Sequence, residues 1–506
     1  MIDTKYIKSL LIISFLLITQ LCTAQFINQR FPATDGWGGT GFNAIENDSG
    51  YITVSGYIST ITGKQNVRVV QTDFSGTVLH ENIFGDTINY YVGYQNSLTK
   101  LANGGYAMFG GLSTSINSES VGVLYRFNDV GDVIWTKTYG DSLYFQTGRH
   151  MRQTLDGGFI LFGDNATPSE YLWVIKTDSL GVIEWEQTYG GPNYEGAAHI
   201  AVCADGGYVF SGNTKSLGPN IPNEVNIRIM KIDSLGNEEF TKVFGEDGVD
   251  SPWAVEPTQD GGFIFGGSIK HDIDDQTKPY AIKMDNLGNV AWETSPPPPS
   301  GNSGSTGFNA ILELSDGSFV GGGVQFETDS LTWGKRNGLV IKMDANGDTL
   351  WRKQYRIPGM DGNGTDFHIN DMRTTSDGGF ICAGVVYPAA PDTGTQDMWL
   401  LKIDSNGCAD SACSLITSIP NTQNSSLNTN SLAVYPNPTN GIVTIELPPK
   451  STSASFRLIN INGIEVFNQS LNSSTNQIDV SHLSKGIYFY RYRDKKQGYA
   501  GKLVVK

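Results

Sequence analysis

Two stretches of this sequence gather oxygen ligands closely enough to hold a hard cation. His271-Asp272-Ile273-Asp274-Asp275 offers Asp272, Asp274 and Asp275. Asp361-Gly362-Asn363-Gly364-Thr365-Asp366 offers Asp361, Asn363 and Asp366. Calcium takes such oxygens from flexible loops, and it is the one cofactor the sequence suggests. Neither stretch completes an ion-loop pattern, so a polar solvated loop is the competing reading. Trp333 and Tyr387 fall in other variable stretches. An aromatic face there can stack on a sugar or pack against a neighbouring element. Motifs for catalysis are missing: there is no nucleophile elbow, phosphate loop or His-Glu zinc motif. The six histidines are scattered at positions 80, 150, 199, 271, 368 and 482. Acidic pairs for glycoside hydrolysis can be drawn from the variable loops, but nothing in the sequence sets their separation.

The elements that must carry these side chains come from one repeated unit, clearest at Glu256 to Trp292. Asp260-Gly261-Gly262 lies between two β-forming runs and reads as a hairpin turn, because such turns need positive φ. Phe263-Ile264-Phe265 reads as a strand stopped by Gly266-Gly267. A variable polar loop follows, then the alternating strand Tyr280 to Met284, the turn Asp285-Asn286-Leu287-Gly288, and a fourth strand opening at Val290. The aromatic after the first turn recurs as Tyr51, Tyr106, Phe159, Tyr208, Phe263, Phe319 and Phe380. Four short strands recurring at roughly 50 residues are the pattern of a β-propeller blade. A ring of blades buries faces that one blade cannot. Seven copies predict an all-β, seven-bladed propeller over residues 25–410, with blades at 42–84, 96–139, 149–189, 198–244, 253–295, 308–356 and 370–408. The repeated Asp and Gly are expected to form turns, and the repeated Trp to pack between blades.

Residues 1–24 have the form of a signal peptide: Lys5 and Lys8, an apolar run from Leu10 to Leu21, and the small-residue end Cys22-Thr23-Ala24. The run is short for a membrane span. Cleavage is expected after Ala24, leaving Gln25 first and no transmembrane segment in the mature chain. Cys203 and Cys382 read as buried thiols, whereas Cys408 and Cys413 are close enough to pair in an oxidising compartment. Residues 26–32 resemble the fourth strand of a unit, and the seventh unit lacks one. The N-terminal strand is therefore expected to close the ring.

Antiparallel order places both tight turns of every blade on one face of the ring. The variable loops, Gly212–Asn226, Gly267–Lys278, Gly321–Lys335, Val385–Gln396, Ser295–Thr306 and Ile357–His368, fall on the other. Function on a rigid scaffold is usually carried by such loops.

Residues 411–431 are a Ser/Thr/Asn-rich linker. The full chain carries a formal charge of −16. The stretch 432–506 holds nine Lys and Arg against four Asp and Glu, so the acidity resides in the body. An acidic body argues against nucleic acid or an anionic membrane as partner. The C-terminal stretch carries Val434-Tyr435-Pro436-Asn437-Pro438-Thr439, Leu458-Ile459-Asn460-Ile461-Asn462-Gly463, Ile478-Asp479-Val480-Ser481, Gly486-Ile487-Tyr488-Phe489 and the closing Lys502-Leu503-Val504-Val505-Lys506. These blocks resemble, in order, the type A sorting domain of proteins exported by the type IX secretion system of Bacteroidetes. The resemblance implies a small Ig-like β-sandwich over 432–506. It also implies the type IX machinery as a partner, and a secreted or outer-surface protein. Lys283, Asp285, Gly288 and Trp292 form a pattern similar to the tryptophan-docking repeat of quinoprotein dehydrogenases. That family uses eight blades and dedicated cofactor ligands, which cannot be placed here, so the similarity extends to architecture alone.

The expected function is binding of a glycan or surface protein through the variable-loop face, without catalysis. The alternative is a polysaccharide-degrading hydrolase or lyase on the same scaffold, and a structural surface-layer role is a third.

Overall fold

The computed structural model describes residues 26–32, 36–93, 97–113, 119–166, 170–218, 224–245, 250–271, 276–296, 306–329, 332–360, 365–388, 396–410, 432–447, 454–460, 465–471, 473–493 and 498–506. The signal segment with Ala24 and Gln25, the linker 411–431, Cys413, Asp272, Asp274, Asp275, Asp361 and Asn363 lie outside them. The chain forms two compact units, Met1–Ser411 and Ala412–Lys506. Every regular element among the described residues is a β-strand.

In the first unit, four-stranded antiparallel sheets follow one another in chain order: 36–84, 146–189, 195–244, 251–294 and 306–355. The sheet over 90–139 differs. Its inner edge is split between Tyr90–Val92 and Thr99–Lys100, both pairing with Tyr106–Ser113. This sheet and the others begin a few residues earlier than the repeat pattern indicates.

The turns explain the repeated Asp and Gly. Thr258 N–H donates to Gly262 O and Gly261 N–H donates to Thr258 O, each at 2.9 Å. Gly261 stands at φ +82°, a conformation that costs a residue with a Cβ. The turn carboxylate also meets a lysine from the third strand of its own sheet. Lys176–Asp156, Lys283–Asp260 and Lys402–Asp377 each approach to 2.8 Å, and Lys231–Asp205 to 2.6 Å. The lysine stems are buried while their tips pair, so each pair satisfies a charge that burial would otherwise penalise.

These pairs set a pH dependence. The bond from Lys176 holds Asp156 at about 2. Partial burial would raise Asp260, but the bonds from Lys283 and its neighbours outweigh it and leave the group at about 2 as well. Both folded values lie below the unfolded one, so the stabilisation is present above roughly pH 4 and fades as pH falls toward 2. Denaturant midpoints should decline between pH 4 and 2. Lys176→Met with Lys283→Met should flatten that decline, and an unchanged slope in the double variant would remove these pairs as its cause.

Adjacent sheets are joined by the repeated aromatics. Trp292 Nε1 donates to Ala345 O of the next sheet at 2.9 Å, and Trp185 Nε1 to Ser234 O at 3.2 Å. Tyr355 OH reaches Gly407 O at 2.7 Å. At Gly347, a Cβ would lie 2.8 Å from the Trp292 ring, so the glycine is needed for this close approach as well as for its turn.

The Gly266-Gly267 pair does not end its strand. The strand runs Phe263–His271, and the glycines sit opposite a bulge between Pro252 and Ala254. A Cβ on Gly267 would come within 2.3 Å of Ser251 O. The glycine therefore makes room for the bulged neighbour and lets the strand continue, a role that pattern alone does not distinguish from a stop.

The last sheet joins both ends of the unit. Ile27–Phe31 pairs antiparallel with Asp397–Ile403, from Ile27 opposite Lys402 to Phe31 opposite Met398. Ile27 and Phe31 are buried with Ala44, Tyr51, Ile381, Ala383 and Leu400. Trp399 Nε1 donates to Asn28 Oδ1 at 2.8 Å. Cys203 and Cys382 are buried free thiols, and Cys408 is in a disulfide.

The second unit holds a three-stranded sheet (433–435, 442–446, 475–479) and a four-stranded sheet (454–460, 465–471, 486–493, 498–505). Val443, Ile445 and Ile478 of the first share one core with Phe456, Leu458, Tyr492 and Leu503 of the second. The sequence motifs tie the final strand. Asn437 Oδ1 accepts from Val504 N–H at 2.9 Å, and Thr439 N–H donates to Val504 O at 2.8 Å.

Candidate functional site

Of the residues singled out for chemistry, Tyr387 and Asp366 come together. They pair across the strands Asp366–Thr374 and Phe380–Tyr387. Both sit at strand ends away from the Asp-Gly turns, on the face of the variable loops. Asp366 is bound twice by Arg336: Oδ1 accepts the backbone N–H at 2.9 Å and Oδ2 the guanidinium at 3.1 Å. The Tyr387 ring lies 5.4 Å from His368, centroid to centroid, at 55°. Burial, with help from Arg336, lowers the His368 imidazole to about 4. It is therefore neutral at pH 7, and its buried Nε2 has no hydrogen-bond partner among the described residues. Burial also raises the Tyr387 phenol. A neutral imidazole, a phenol and a guanidinium can bind a carboxylated or hydroxylated ligand, and imidazole and phenol can also move a proton. Trp333 belongs to the strand Thr332–Met343, and its side chain lies outside the described set. No trio of His, Cys, Asp or Glu side chains among the described residues is arranged to hold a metal ion. Asp366, the described member of the two calcium stretches, is engaged by Arg336.

A second group lies on the turn side of the ring and was not anticipated. One position on the innermost strand of each sheet pairs with the residue after the repeated aromatic. Its occupants are Ile45, Thr99, Arg152, Ala201, Glu256, Leu312 and Arg373. Glu256 Oε1 accepts from Arg152 at 2.6 Å and lies 3.6 Å from Arg373. Arg152 also reaches His150 Nε2 at 2.9 Å and His199 Nε2 at 3.3 Å, and the two imidazoles lie 3.6 Å apart, centroid to centroid, tilted by 34°. Arg373 pairs with Asp371 at 3.1 Å, and Asp371 accepts the Ala44 N–H at 3.2 Å. Burial and the two guanidiniums push His199 well down, so it is neutral. Burial raises Asp371 against the pull of Arg373. The network ties strands from several sheets together. A cavity of about 630 Å³ adjoins it, lined among others by Arg152, Arg373, Ile45, Leu98 and Leu312. The sequence did hold a signal for this position: Arg152 precedes Phe159 by the same interval as Glu256 precedes Phe263 and Arg373 precedes Phe380.

Comparison with known proteins bears on the two units differently. Residues 433–506 match the secretion system C-terminal sorting domain. The chain is exported by type IX secretion. The sorting domain places it at the cell surface or in the extracellular space, and no helix among the described residues is long and apolar enough to cross a membrane. No curated protein matches the chain. Among solved structures it is similar to an ulvan lyase, a polysaccharide lyase, at 10% identity over 75% of this chain and 96% of that one, with a TM-score of 0.47. It is also similar to the β-propeller domain of the Trilobed protease from Pyrococcus furiosus, at 9% identity over 72% and 94%, TM-score 0.42. A periplasmic gluconolactonase from Pseudomonas aeruginosa matches at 11% identity over 73% and 97%, TM-score 0.39. None of these likenesses speaks to ligand or chemistry. The propeller architecture of the exported protein rests on its own succession of antiparallel sheets.

Proposed function

We propose that this exported protein is a seven-bladed β-propeller that binds a glycan or surface protein through its variable-loop face, with an Ig-like sorting domain at its C-terminus. In this reading residues 25–410 are the propeller, 411–431 the linker and 432–506 the domain read by the secretion machinery. The observation that carries it is the grouping of Tyr387, His368, Arg336 and Asp366 on that face, where a neutral, half-buried imidazole meets a phenol and a guanidinium. A structural core does not need that combination. The same grouping favours one rival. Imidazole, phenol and guanidinium can together neutralise a uronate carboxylate and move its neighbouring proton, which is what a lyase would require.

The two readings separate in one experiment. Purified protein is screened against acidic and neutral polysaccharides and against surface extracts, with calcium present and absent, reading binding and product release together. Binding without product supports the binding protein, whereas unsaturated or shortened sugars establish the enzyme. Tyr387→Phe with His368→Gln should weaken binding by about tenfold or more while leaving thermal unfolding within a few degrees. Unchanged binding in that variant would remove this group from the site. Calcium-dependent binding would assign the ion to the 271–275 or 361–366 stretch.

A further inference from the structure

We infer that the cavity on the turn side of the ring is a second binding site, for an organic carboxylate with an apolar body. Three observations converge on it. The first is charge placement. Arg152 and Arg373 line the cavity, whereas the residues that carry their counter-carboxylates, Glu256 and Asp371, do not. Of this ion network, the cavity lining takes the cations and not their partner anions. Lys100 adds a third cation to the lining. The lining also holds two acids, Glu46 and Asp48; Glu46 is committed to Ser376, accepting its N–H and its hydroxyl at 2.6 Å each, and Arg152, Arg373 and Lys100 still outnumber the two.

The second observation is preorganisation. Arg152 is held by Glu256, His150 and His199 at once, so its orientation is fixed before any ligand arrives. Arg373 stands 3.6 Å from Glu256, beyond hydrogen-bonding distance, with 22% of its side chain exposed. A guanidinium in that position can donate to a ligand carboxylate alongside its ion pairs with Asp371 and Glu256. Planar donor pairs of this kind suit carboxylates geometrically, and a recessed site strengthens the attraction. The third observation is the wall. Ile45, Leu98, Leu312 and Phe74 give it an apolar part, which favours an apolar body over a polyhydroxylated one. The site is independent of the loop-face proposal, since it lies on the opposite side of the ring and uses none of the same residues.

The test uses the full chain and calorimetric titration with N-acetyl-leucine, N-acetyl-leucinamide and glucuronate. A short N-acetylated peptide ending in leucine separates a chain terminus from a free small acid. The acid should bind, and the amide and glucuronate should bind at least about tenfold more weakly. Arg373→Gln should cost a similar factor. Glu256→Gln removes the competing carboxylate and should raise affinity for the acid by about tenfold, a gain that misfolding cannot imitate. Leu312→Ser leaves the ion network in place and should weaken N-acetyl-leucine while leaving glucuronate unchanged. Equal binding of acid and amide, unchanged or weaker binding in Glu256→Gln, or no binding of the acid at about 10 mM would each overturn the assignment.

Discussion

Replacing Ile27 and Phe31 together by aspartate unfastens the propeller. Both side chains are buried in the seam between the last sheet and the first, against Tyr51, Val70 and Ile381. Their strand supplies the outer pairing of Asp397–Ile403. Losing two apolar side chains of this size costs about 5 kcal/mol in transfer and cavity terms, and two carboxylates cannot stay charged in that seam. The N-terminal strand should detach and Asp397–Ile403 become an exposed edge. Hydrogen exchange should show it directly. Amides of residues 398–403 that are protected in the parent should exchange orders of magnitude faster, with a smaller effect in the sheets farthest along the chain. Uniform loss of protection would mean that the ring unfolds as one unit, and full retention would mean that the strand does not hold it shut.

Glu256→Ala should be the most damaging single substitution on the turn side. Its carboxylate is shared by Arg152 and Arg373, so removal leaves two guanidiniums facing each other. Breaking a fully buried pair costs about 3–5 kcal/mol. The side chain is 18% exposed here, so solvent screening reduces the expected loss to about 2–3 kcal/mol. Denaturant unfolding of the isosteric Glu256→Gln should recover part of it, because the amide oxygen still accepts from Arg152. A loss under about 0.5 kcal/mol in Glu256→Ala would show that the arginines find other partners and that the network is not a unit.

The repeat was legible because its turns are local. A residue at positive φ between two strands must be glycine or nearly so, and the Asp beside it bonds within its own turn, so Asp260 and Gly261 announce themselves in sequence. The aromatic that follows marks the buried start of the second strand for the same reason. Gly267 was misread because its necessity comes from a carbonyl on another strand, Ser251 O, which sequence does not display. Cys408 is in a disulfide, and Cys413 lies outside the described residues.

The site residues show the same division. Tyr387 and Asp366 were noticed for their types within variable loops. Their grouping with Arg336 and His368 depends on strand register, and a shift by one residue would turn each to the other face. Arg152, Glu256 and Arg373 belong to inner strands separated by long intervals of chain; their equal spacing from the repeated aromatic marks a common position, but not that the three side chains meet.

By itself, then, the sequence determined the β-class, the repeat with its turns, and the export address, because each rests on interactions within a few residues or on a contiguous motif. Only the tertiary structure decided which charged side chains meet. Placing Arg152 2.6 Å from Glu256 and Tyr387 beside His368 depends on how separate strands pack around one ring, and that geometry belongs to the assembled sheets.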